Sequence, residues 1–330
     1  MYIITGAAGF IGSVLVHHFN TLGITDLLLV DELESGEKWL NLRDLKFTRM
    51  IHPEMLFEDD VWKKPLSVKG VFHMGACSDT TEMDMDYLYY NNTQFTNDLF
   101  SVCTQKKIPF LYASSAATYG EGEMGYKDDH KLCSKLKPLN KYGWSKKLSD
   151  DWALSQKKTP PCWFGVKFFN VFGPNEYHKG KMSSVVYHGF NQIKEKGQVR
   201  LFKSHREGFK DGGQMRDFVY VKDVCRAMIE LMAAGKKKPS LSGIYNLGTG
   251  EARSFADLAH ATFKALKLKE NIEYFDMPET LRAQYQYYTQ ADMTKLKKAL
   301  PKFKFHSLEE AVADYVQKHL NTANAYLGAE

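Results

Sequence analysis

A tyrosine and a lysine stand four residues apart in the segment Tyr142-Gly143-Trp144-Ser145-Lys146, which is the spacing of one helix face. A phenol has a pKa of about 10 and is a poor base at neutral pH, but a neighbouring cation lowers that pKa. Tyr142 would then accept the proton of a substrate hydroxyl as a general base. Because the chain has 18 tyrosines, the same spacing also arises by chance, and the pair needs a partner before it predicts chemistry.

A serine supplies that partner in the run Ser114-Ser115-Ala116-Ala117-Thr118-Tyr119-Gly120. The run directly follows Phe110-Leu111-Tyr112, which is apolar and predicts a buried strand. Doubly wound α/β folds bind ligands at the carboxyl ends of such strands. We therefore expect the Ser115 hydroxyl to hydrogen-bond the reacting oxygen, with Tyr142 and Lys146 as its catalytic partners.

A glycine-rich turn lies near the start of the chain, between a predicted strand and a predicted helix. Its sequence is Thr5-Gly6-Ala7-Ala8-Gly9-Phe10-Ile11-Gly12, so the spacing is GxxGxxG and not GxGxxG. Glycines allow backbone N–H groups to approach a pyrophosphate, and a helix N-terminus adds partial positive charge there. The turn predicts a dinucleotide site that includes Gly6, Gly9, Phe10, Ile11 and Gly12.

Acidic residues follow the second predicted strand, Leu27–Val30. The Asp31 carboxylate would accept both hydroxyls of an adenosine ribose, and Glu32 adds a second acid. These acids favour NAD because they would repel the 2′-phosphate of NADP, whereas Lys38 would pair with that phosphate. From these residues the choice between NAD and NADP stays open.

Short apolar strands alternate with helix-length segments through the first half of the chain. This pattern predicts βαβ units, a buried parallel sheet and hence a doubly wound α/β (Rossmann) fold. The predicted strands are Tyr2–Ile4, Leu27–Val30, Val71–His73, Phe110–Tyr112, Phe164–Phe168, Asp217–Val221 and Ile244–Leu247.

The pattern loses its clean period after Asn170, which predicts a smaller, discontinuous C-terminal substrate domain. Helices are expected over Phe255–Leu266 and Leu308–Leu320, opened by capping boxes at Ser254 and Ser307. We expect a dinucleotide-binding domain over residues 1–169, with a returning segment at about 217–248. Residues 170–216 and 249–330 would form the substrate-binding domain.

Composition excludes several classes of function. The chain is 44% hydrophobic and 25% charged, and its formal net charge of +5 is thinly spread, so nucleic-acid binding is not expected. Five cysteines without CxxC spacing predict neither a disulfide framework nor a metal site. No apolar run approaches the roughly 20 residues of a membrane span, and no signal peptide is recognised, so the cytosol is the expected location.

Together these motifs resemble the extended short-chain dehydrogenase/reductases, from Met1 to about residue 320. The resemblance rests on the glycine turn, Gly75-Ala76, Ser115, the Tyr142/Lys146 pair and Asn170. It implies a bound nicotinamide cofactor. Its predicted contacts beyond the turn and the acidic strand end are Met74, Gly75, Ala76, Cys77, Ser78, Asn91, Tyr142, Lys146, Val171 and Lys179.

Narrower motifs are similar to one branch of that family, the ADP-heptose 6-epimerases. These motifs are His73–Glu82, Tyr112–Gly120, Phe169–Pro174, His178–Gly180 and Tyr285–Asp292. The resemblance implies an isomerase that inverts C6″ of ADP-D-glycero-D-manno-heptose through a transient ketone, for the heptose of lipopolysaccharide. It also implies NADP as cofactor, with NAD possible, and a homo-oligomer, usually a pentamer.

A ketone that is reduced on its second face presents a proton-transfer problem, because one base cannot easily serve both orientations. By resemblance the second base is Lys179, although from the sequence alone a surface lysine in a polar loop is the favoured interpretation of that residue. The same match implies substrate contacts at Asn170, Lys181, His188, Leu201, Phe202, Lys203, Ser204, Arg216 and Tyr285. Arg216 is either a diphosphate clamp or half of a structural ion pair, and His188 is either a ligand contact or a buried structural histidine.

Other functions on the same scaffold need different residues. A 4,6-dehydratase needs an acid and a base after the strand-end hydroxyl, where this chain has Ala116 and Ala117, so that function is excluded. A UDP-sugar 4-epimerase shares the Ser/Tyr/Lys set but does not need His178-Lys179-Gly180. A net dehydrogenase is less favoured, and a non-catalytic dinucleotide sensor would have no chemical need for Tyr142 and Lys146.

Overall fold

The structure is a computed structural model that describes residues 1–58, 60–63, 68–282 and 285–328. Twelve strands are present in this part of the chain. They are β1 Tyr2–Thr5, β2 Leu27–Val30, β3 Arg49–Ile51, β4 Gly70–His73, β5 Phe110–Ser115, β6 Trp163–Phe168, β7 Asn170–Phe172, β8 Val199–Phe202, β9 Met215–Tyr220, β10 Gly243–Leu247, β11 Ala252–Ser254 and β12 Ile272–Phe275.

The α-helices vary from single turns to 17 residues. They are α1 Phe10–Thr21, α2 Asp60–Lys63, α3 Met85–Leu88, α4 Phe95–Lys106, α5 His130–Cys133, α6 Lys141–Ser155, α7 Val185–Lys196, α8 Val221–Lys237, α9 Phe255–Leu266, α10 Glu279–Arg282, α11 Thr294–Ala299 and α12 Leu308–Tyr315. Among the described residues, no helix is both long enough and apolar enough to cross a membrane.

Seven strands form one parallel sheet in the order β10-β6-β5-β4-β1-β2-β3. Successive side chains of a strand point to opposite faces of the sheet, so the side chains of one strand belong alternately to two hydrophobic cores. Ile4 and Phe72 belong to the core with α1 and α8, whereas Ile3 and Val71 belong to the core with α4 and α6. Both faces are therefore covered by helices, which explains why the strand sequences are continuously apolar. The predicted doubly wound α/β fold is confirmed.

Two smaller sheets lie in the C-terminal half of the chain. One has the order β11-β9-β7 and the other pairs β12 with β8. A third core, made of residues from α7, β8 and α9, joins the second pair to its helices. The predicted returning segment is divided, because its strand β9 lies in a small sheet whereas β10 lies in the large one. The division into two domains stays a prediction.

Local sequence signals place most elements correctly. Helix α9 has the predicted bounds, and both predicted capping boxes are formed, at Ser254 with Asp257 and at Ser307 with Glu310. Two bounds differ. Strand β5 continues through Ser115, which pairs with Phe168, so this serine lies within the strand and not after it. Helix α12 ends at Tyr315 and continues as a π-type turn.

Candidate active site

The glycine turn lies against the loop that follows β4. Gly6 has φ +62°, and a Cβ there would lie 2.5 Å from the backbone nitrogen of Gly75. A Cβ on Gly12 would lie 2.0 Å from the Gly6 carbonyl oxygen. Both positions therefore require glycine, because any side chain would separate the turn from the neighbouring loop or from the first turn of the helix.

Helix α1 begins directly after the turn, with Gly9 as its N-cap. Since glycine has no side chain, the N-cap residue leaves the first-turn N–H groups, including those of Phe10 and Ile11, without a side-chain acceptor. Such a helix N-terminus binds a phosphate through these N–H groups and its partial positive charge. The predicted pyrophosphate site therefore fits a dinucleotide.

Asp31 joins the turn to the predicted ribose site. Its carboxylate accepts a hydrogen bond from the Ala8 N–H at 2.7 Å and pairs with the Lys38 ammonium at 2.7 Å. Asp31 is 6% exposed, whereas Glu32 is exposed and lies 3.4 Å from the His52 ring. The structure therefore brings Asp31 and Lys38 together and leaves Glu32 exposed beside His52.

Tyr142 lies in the first turn of α6, which starts where the Asn140 side chain accepts the Gly143 N–H at 2.7 Å. Its hydroxyl hydrogen-bonds the Ser115 side chain. Ser115 Oγ already accepts the Ala117 N–H at 3.1 Å, so the serine hydroxyl has its proton available for the tyrosine oxygen. Burial raises the pKa of Tyr142, and the hydrogen bond from Ser115 opposes that rise by stabilising the phenolate.

Lys146 lies one turn further along the same helix and is 3% exposed. Its ammonium donates a hydrogen bond of 3.0 Å to the Ala113 carbonyl oxygen. Burial lowers the pKa of Lys146 to about 8, and the Asp150 carboxylate opposes this shift. The predicted Ser115, Tyr142 and Lys146 set is therefore brought together between β5 and α6.

A buried ion pair, which sequence analysis missed, supports this helix. Asp150 accepts hydrogen bonds from Tyr112 at 2.9 Å, from Ser114 at 2.8 Å and from the Lys167 ammonium at 2.6 Å. The position of Asp150 in the sequence could have indicated this role, because Asp150 continues the four-residue spacing of Tyr142 and Lys146 on one helix face. Its partner Lys167 stands in an otherwise apolar strand, and no local pattern connects the two residues.

A buried histidine, also missed, links the two loops that frame the cofactor site. Thr96 Oγ1 donates to the Asn92 carbonyl oxygen at 2.7 Å, so it must accept from His73 Nε2, 2.9 Å away. His73 Nδ1 then carries no proton and accepts from Thr5 Oγ1, 2.5 Å away. Thr5 in turn accepts the Gly75 N–H at 3.1 Å. His73 is therefore neutral, in agreement with burial, which lowers its pKa to about 3.

The loop after β4 is fixed by an asparagine next to the predicted one. Asn92 accepts the Cys77 N–H at 2.8 Å and donates to the Cys77 carbonyl oxygen at 3.0 Å and to Ser145 Oγ at 3.0 Å. It lies in a π-type segment, Tyr89–Gln94, a geometry that is frequent at functional sites. Asn91 is half-buried and hydrogen-bonds Tyr87. The sequence did not separate the roles of these two adjacent asparagines.

The predicted second base lies next to Phe10, the residue with which α1 begins. The Lys179 ammonium is 5.5 Å from the centroid of the Phe10 ring, in a 3₁₀ segment over Tyr177–Met182. Burial lowers the pKa of Lys179, and the negative charge of Glu176 opposes that shift. A desolvated lysine beside a cofactor-binding turn has the environment of a functional base.

The chain segment at residues 325–328 packs on the loop that carries Lys179. Asn175 donates to Ser13 Oγ at 3.0 Å and accepts the Leu327 N–H at 3.2 Å. Tyr177 donates to the Ala325 carbonyl oxygen at 2.8 Å. Asn175 has φ +72° and is fully buried, so these contacts hold it in a left-handed conformation. Sequence analysis gave no sign of this contact.

Three of the predicted substrate contacts form one cluster. The Arg216 guanidinium lies 5.3 Å from the centroid of the Tyr285 ring, and that ring is 6.1 Å from the Phe202 ring. Arg216 is 8% exposed, and burial lowers its pKa. It makes ring contacts and a hydrogen bond of 2.9 Å to the Met215 carbonyl oxygen, an arrangement that favours a clamp over a structural ion pair.

The remaining predicted contacts are more dispersed. Leu201 is 5% exposed and packs in the third core, so its side chain lies inside the protein. Lys203 pairs with Asp276 at 3.6 Å, and the Ser204 N–H donates to Asp211 at 2.8 Å. His188 is half-buried on α7. Met74, Ala76 and Ser78 lie in the loop after β4, where the first two are half-buried and Ser78 is exposed. Val171 of β7 is half-buried, and Asn170 and Lys181 are exposed.

The described residues contain no cluster of three or more His, Cys, Asp or Glu side chains suited to a metal ion. All five cysteines lie in that part of the chain and are free thiols.

The comparison with known families agrees with this arrangement. The model of the NAD dependent epimerase/dehydratase family matches residues 2–248. The chain belongs to this family. This family membership supports a nicotinamide cofactor.

Members of this family with similar sequences include several heptose epimerases. The chain is 50% identical over 99% of its length to all of an ADP-L-glycero-D-manno-heptose-6-epimerase of Fusobacterium nucleatum. It is 43% identical over 96% of its length to 96% of the enzyme of the same name from Alkalilimnicola ehrlichii.

Solved structures of this fold include a Helicobacter pylori ADP-L-glycero-D-manno-heptose-6-epimerase, with a TM-score of 0.77 at 28% identity over 96% of this chain and 95% of that one. A UDP-N-acetylglucosamine 4-epimerase of Methanobrevibacter ruminantium has the same TM-score of 0.77 at 23% identity, over 96% of both chains. At 23% identity, the similarity to the UDP-N-acetylglucosamine 4-epimerase shows that the two proteins share a fold.

Proposed function

We propose that this chain is an ADP-L-glycero-D-manno-heptose 6-epimerase, which inverts C6″ of ADP-D-glycero-D-manno-heptose for the heptose of lipopolysaccharide. The named relatives at 43–50% identity over nearly the whole chain support this substrate. The observation that carries the proposal within the site is the desolvated Lys179 beside Phe10, in addition to the Tyr142/Lys146 pair. Two separate bases suit a reaction in which a ketone is reduced on its second face.

The chain's own residues would divide the proton transfers. In one orientation of the sugar, Tyr142 would accept the proton of the C6″ hydroxyl, while Ser115 donates its single hydroxyl proton to the tyrosine oxygen. In the other orientation, Lys179 would exchange that proton. A bound nicotinamide cofactor supplies hydride acceptance from C6″ and its return to the opposite face.

Lys146 would act through its charge. Its ammonium, which donates to the Ala113 carbonyl oxygen one helical turn along α6 from Tyr142, would favour the phenolate form of that tyrosine. The Arg216, Tyr285 and Phe202 cluster would hold the nucleotide diphosphate and its ring, since a guanidinium binds phosphate oxygens in pairs and aromatic rings stack on bases.

We infer that NADP is the preferred form of the cofactor. Lys38 pairs with Asp31, the residue whose carboxylate is expected to bind the adenosine ribose. The Lys38 ammonium would therefore lie close enough to pair with a 2′-phosphate. The nearby Glu32 carboxylate opposes this choice, and His52 at 3.4 Å would reduce its repulsion when protonated. The homo-oligomer and the cytosolic location expected from the sequence also remain proposals.

The test is to incubate the purified protein with ADP-D-glycero-D-manno-heptose, without added cofactor, and to separate the two C6″ epimers by chromatography. Conversion to an equilibrium mixture without bulk reduction of nicotinamide would support the epimerase and a cofactor that is retained and recycled. Failure with this substrate, with NADP or NAD supplied, together with conversion of UDP-glucose or UDP-galactose, would overturn the heptose assignment and keep the Ser115, Tyr142 and Lys146 set.

A further inference from the structure

The loop from Gly173 to Ser184 carries Lys179 and is closed at its base by one side chain. Glu176 Oε1 accepts hydrogen bonds from the Gly173 N–H at 3.3 Å and from Ser184 Oγ at 2.6 Å. Its Oε2 accepts the Ser184 N–H at 2.5 Å. Glu176 is 1% exposed, so the two ends of the loop meet on a buried carboxylate.

The backbone of the same residue holds the interior of the loop. The Glu176 carbonyl oxygen accepts the Lys179 N–H at 3.0 Å and the Ser183 hydroxyl at 3.1 Å. The Ser183 N–H in turn donates to the Gly180 carbonyl oxygen at 3.2 Å. Glu176 therefore fixes both ends of the loop and the backbone of Lys179 itself.

The charge of Glu176 also acts on Lys179. Burial raises the pKa of Glu176, and the hydrogen bonds from Ser184 and Gly173 oppose this by stabilising the carboxylate. That carboxylate favours the ammonium form of Lys179 against desolvation. Other ionisable groups surround this loop: His178, Lys38 and Asp31 on the side of the glycine turn, and Tyr177 and Tyr315 on the side of Glu176.

We propose that Glu176 is a positioning residue for Lys179: its carboxylate closes the loop, its backbone carbonyl oxygen holds the Lys179 N–H, and its buried negative charge lies within the loop that carries the lysine. The inference rests on the proposed function in one respect, the use of Lys179 as a base. Its two parts, closure and charge, are separable, because Ser184 can be changed without removing the charge.

The charge is tested with Glu176→Gln, which is nearly isosteric. Lys179 in the full-length chain is labelled with an amine-reactive reagent at a series of pH values, and its peptide is quantified by mass spectrometry. We expect the midpoint of Lys179 reactivity to move to lower pH by roughly one unit, the ordinary spread caused by protein environments. The matched control is Asp217→Asn, which neutralises another buried carboxylate, hydrogen-bonded to residues 249, 250 and 291, and should leave the midpoint unchanged.

The closure is tested with Ser184→Ala, which removes the hydroxyl's hydrogen bond to Glu176 and its N-cap bond with the Tyr187 N–H of α7, and keeps the carboxylate. We expect amide hydrogen exchange in the peptide over residues 177–183 to accelerate by up to roughly tenfold, the equivalent of one ordinary hydrogen bond. Thr262→Ala removes a buried hydroxyl in α9 that bonds the Leu258 carbonyl oxygen at 2.7 Å, and it should leave this peptide unchanged.

These outcomes decide the proposal independently of the substrate. An unchanged Lys179 midpoint in folded Glu176→Gln overturns the charge, and unchanged exchange in Ser184→Ala overturns the closure. If Glu176→Gln does not fold, the exchange experiment still decides whether the carboxylate holds the loop. In an active enzyme, Glu176→Gln should also move the acidic limb of kcat to lower pH. A shifted midpoint in a chain that does not convert ADP-heptose would keep the role of Glu176 and contradict the proposed function.

Discussion

Asp150 and Lys167 form an ion pair of 2.6 Å, with each side chain 1% exposed, on the face of α6 that also carries Tyr142 and Lys146. Because Asp150 also accepts hydrogen bonds from Tyr112 and Ser114 of β5, it attaches the helix to two strands of the sheet. The position of the proposed base therefore depends on a charge pair that does not itself contact substrate.

Replacing Asp150 with Asn should destabilise the protein by about 3–5 kcal/mol, because the Lys167 ammonium would remain buried without its counter-ion. The measurement is the free energy of unfolding in urea. Asp151→Asn is the matched control, since Asp151 pairs with Lys147 near the surface of the same helix and should cost well under about 1 kcal/mol. Equal losses in the two variants would contradict a special role for the buried pair.

Tyr142→Phe should lower turnover by at least about 10²-fold, the usual effect of removing a general acid–base group. The variant should retain its cofactor, which is checked by release and spectrophotometry after denaturation. Tyr245→Phe removes a phenol that donates to the Leu241 carbonyl oxygen and should keep turnover close to that of the wild type. A near-normal rate in Tyr142→Phe would remove this residue from the mechanism.

Lys179→Met should impair epimerisation by roughly 10²-fold or more, because one of the two sugar orientations would lose its base. Methionine keeps much of the aliphatic volume beside Phe10, so cofactor content should remain normal. Lys194→Met, at an exposed position of α7, is the control for loss of a positive charge. Loss of the folded state in Lys179→Met alone would identify a structural lysine.

Acid should destabilise the protein through His73. Its pKa is lowered from 6.5 to about 3 by burial, so between these pH values the unfolded chain binds a proton that the folded chain does not. Stability therefore rises with pH across this window and falls on acidification, by up to about 1.4 kcal/mol per pH unit from this group.

Urea unfolding of His73→Gln at a series of pH values from 7 to 4 measures this contribution. The variant should lose stability less steeply on acidification than the wild type. His260→Gln, at an exposed site beside Glu270, should keep the wild-type slope. The same slope in His73→Gln and the wild type would show that His73 does not stay neutral in the fold.

Glu32→Gln should increase the affinity for NADP relative to NAD by roughly fivefold, the expected effect of removing one partly solvated negative charge near a phosphate. Fluorescence titration of cofactor-depleted protein with both dinucleotides gives the ratio. Glu34→Gln, an exposed neighbour, should alter it less. A ratio that does not change in Glu32→Gln would mean that Glu32 does not face the ribose.

The parts of the site that sequence predicts are those that local rules specify. The glycine turn, the spacing of Tyr142 and Lys146 and the capping box at Ser254 each depend on neighbours within about one helical turn. The missed parts depend on partners distant in sequence: Lys167 with Asp150 across α6 and β6, and His73 with Thr5 and Thr96.

A second reason is that residue type alone does not assign a role to adjacent identical residues. Asn91 and Asn92 differ only in which side of a π-type segment they occupy, and the segment itself has no recognised sequence signal. Similarly, an alternating strand such as β8 places Leu201 in the core and Phe202 toward Tyr285, a division that a list of contiguous contacts does not anticipate.

The contacts of residues 325–328 with the loop at Asn175 and with helix α1 have a consequence for how the molecule is assembled. His17 meets the Gly328 carbonyl oxygen across 311 residues, and Leu327 meets Asn175 across 152. During synthesis, the first βα unit emerges from the ribosome long before the segment that completes its surroundings. Pairings of such long range also make folding slow. The loop that carries Lys179 therefore acquires its last contacts only when the end of the described chain, residues 325–328, has been synthesised.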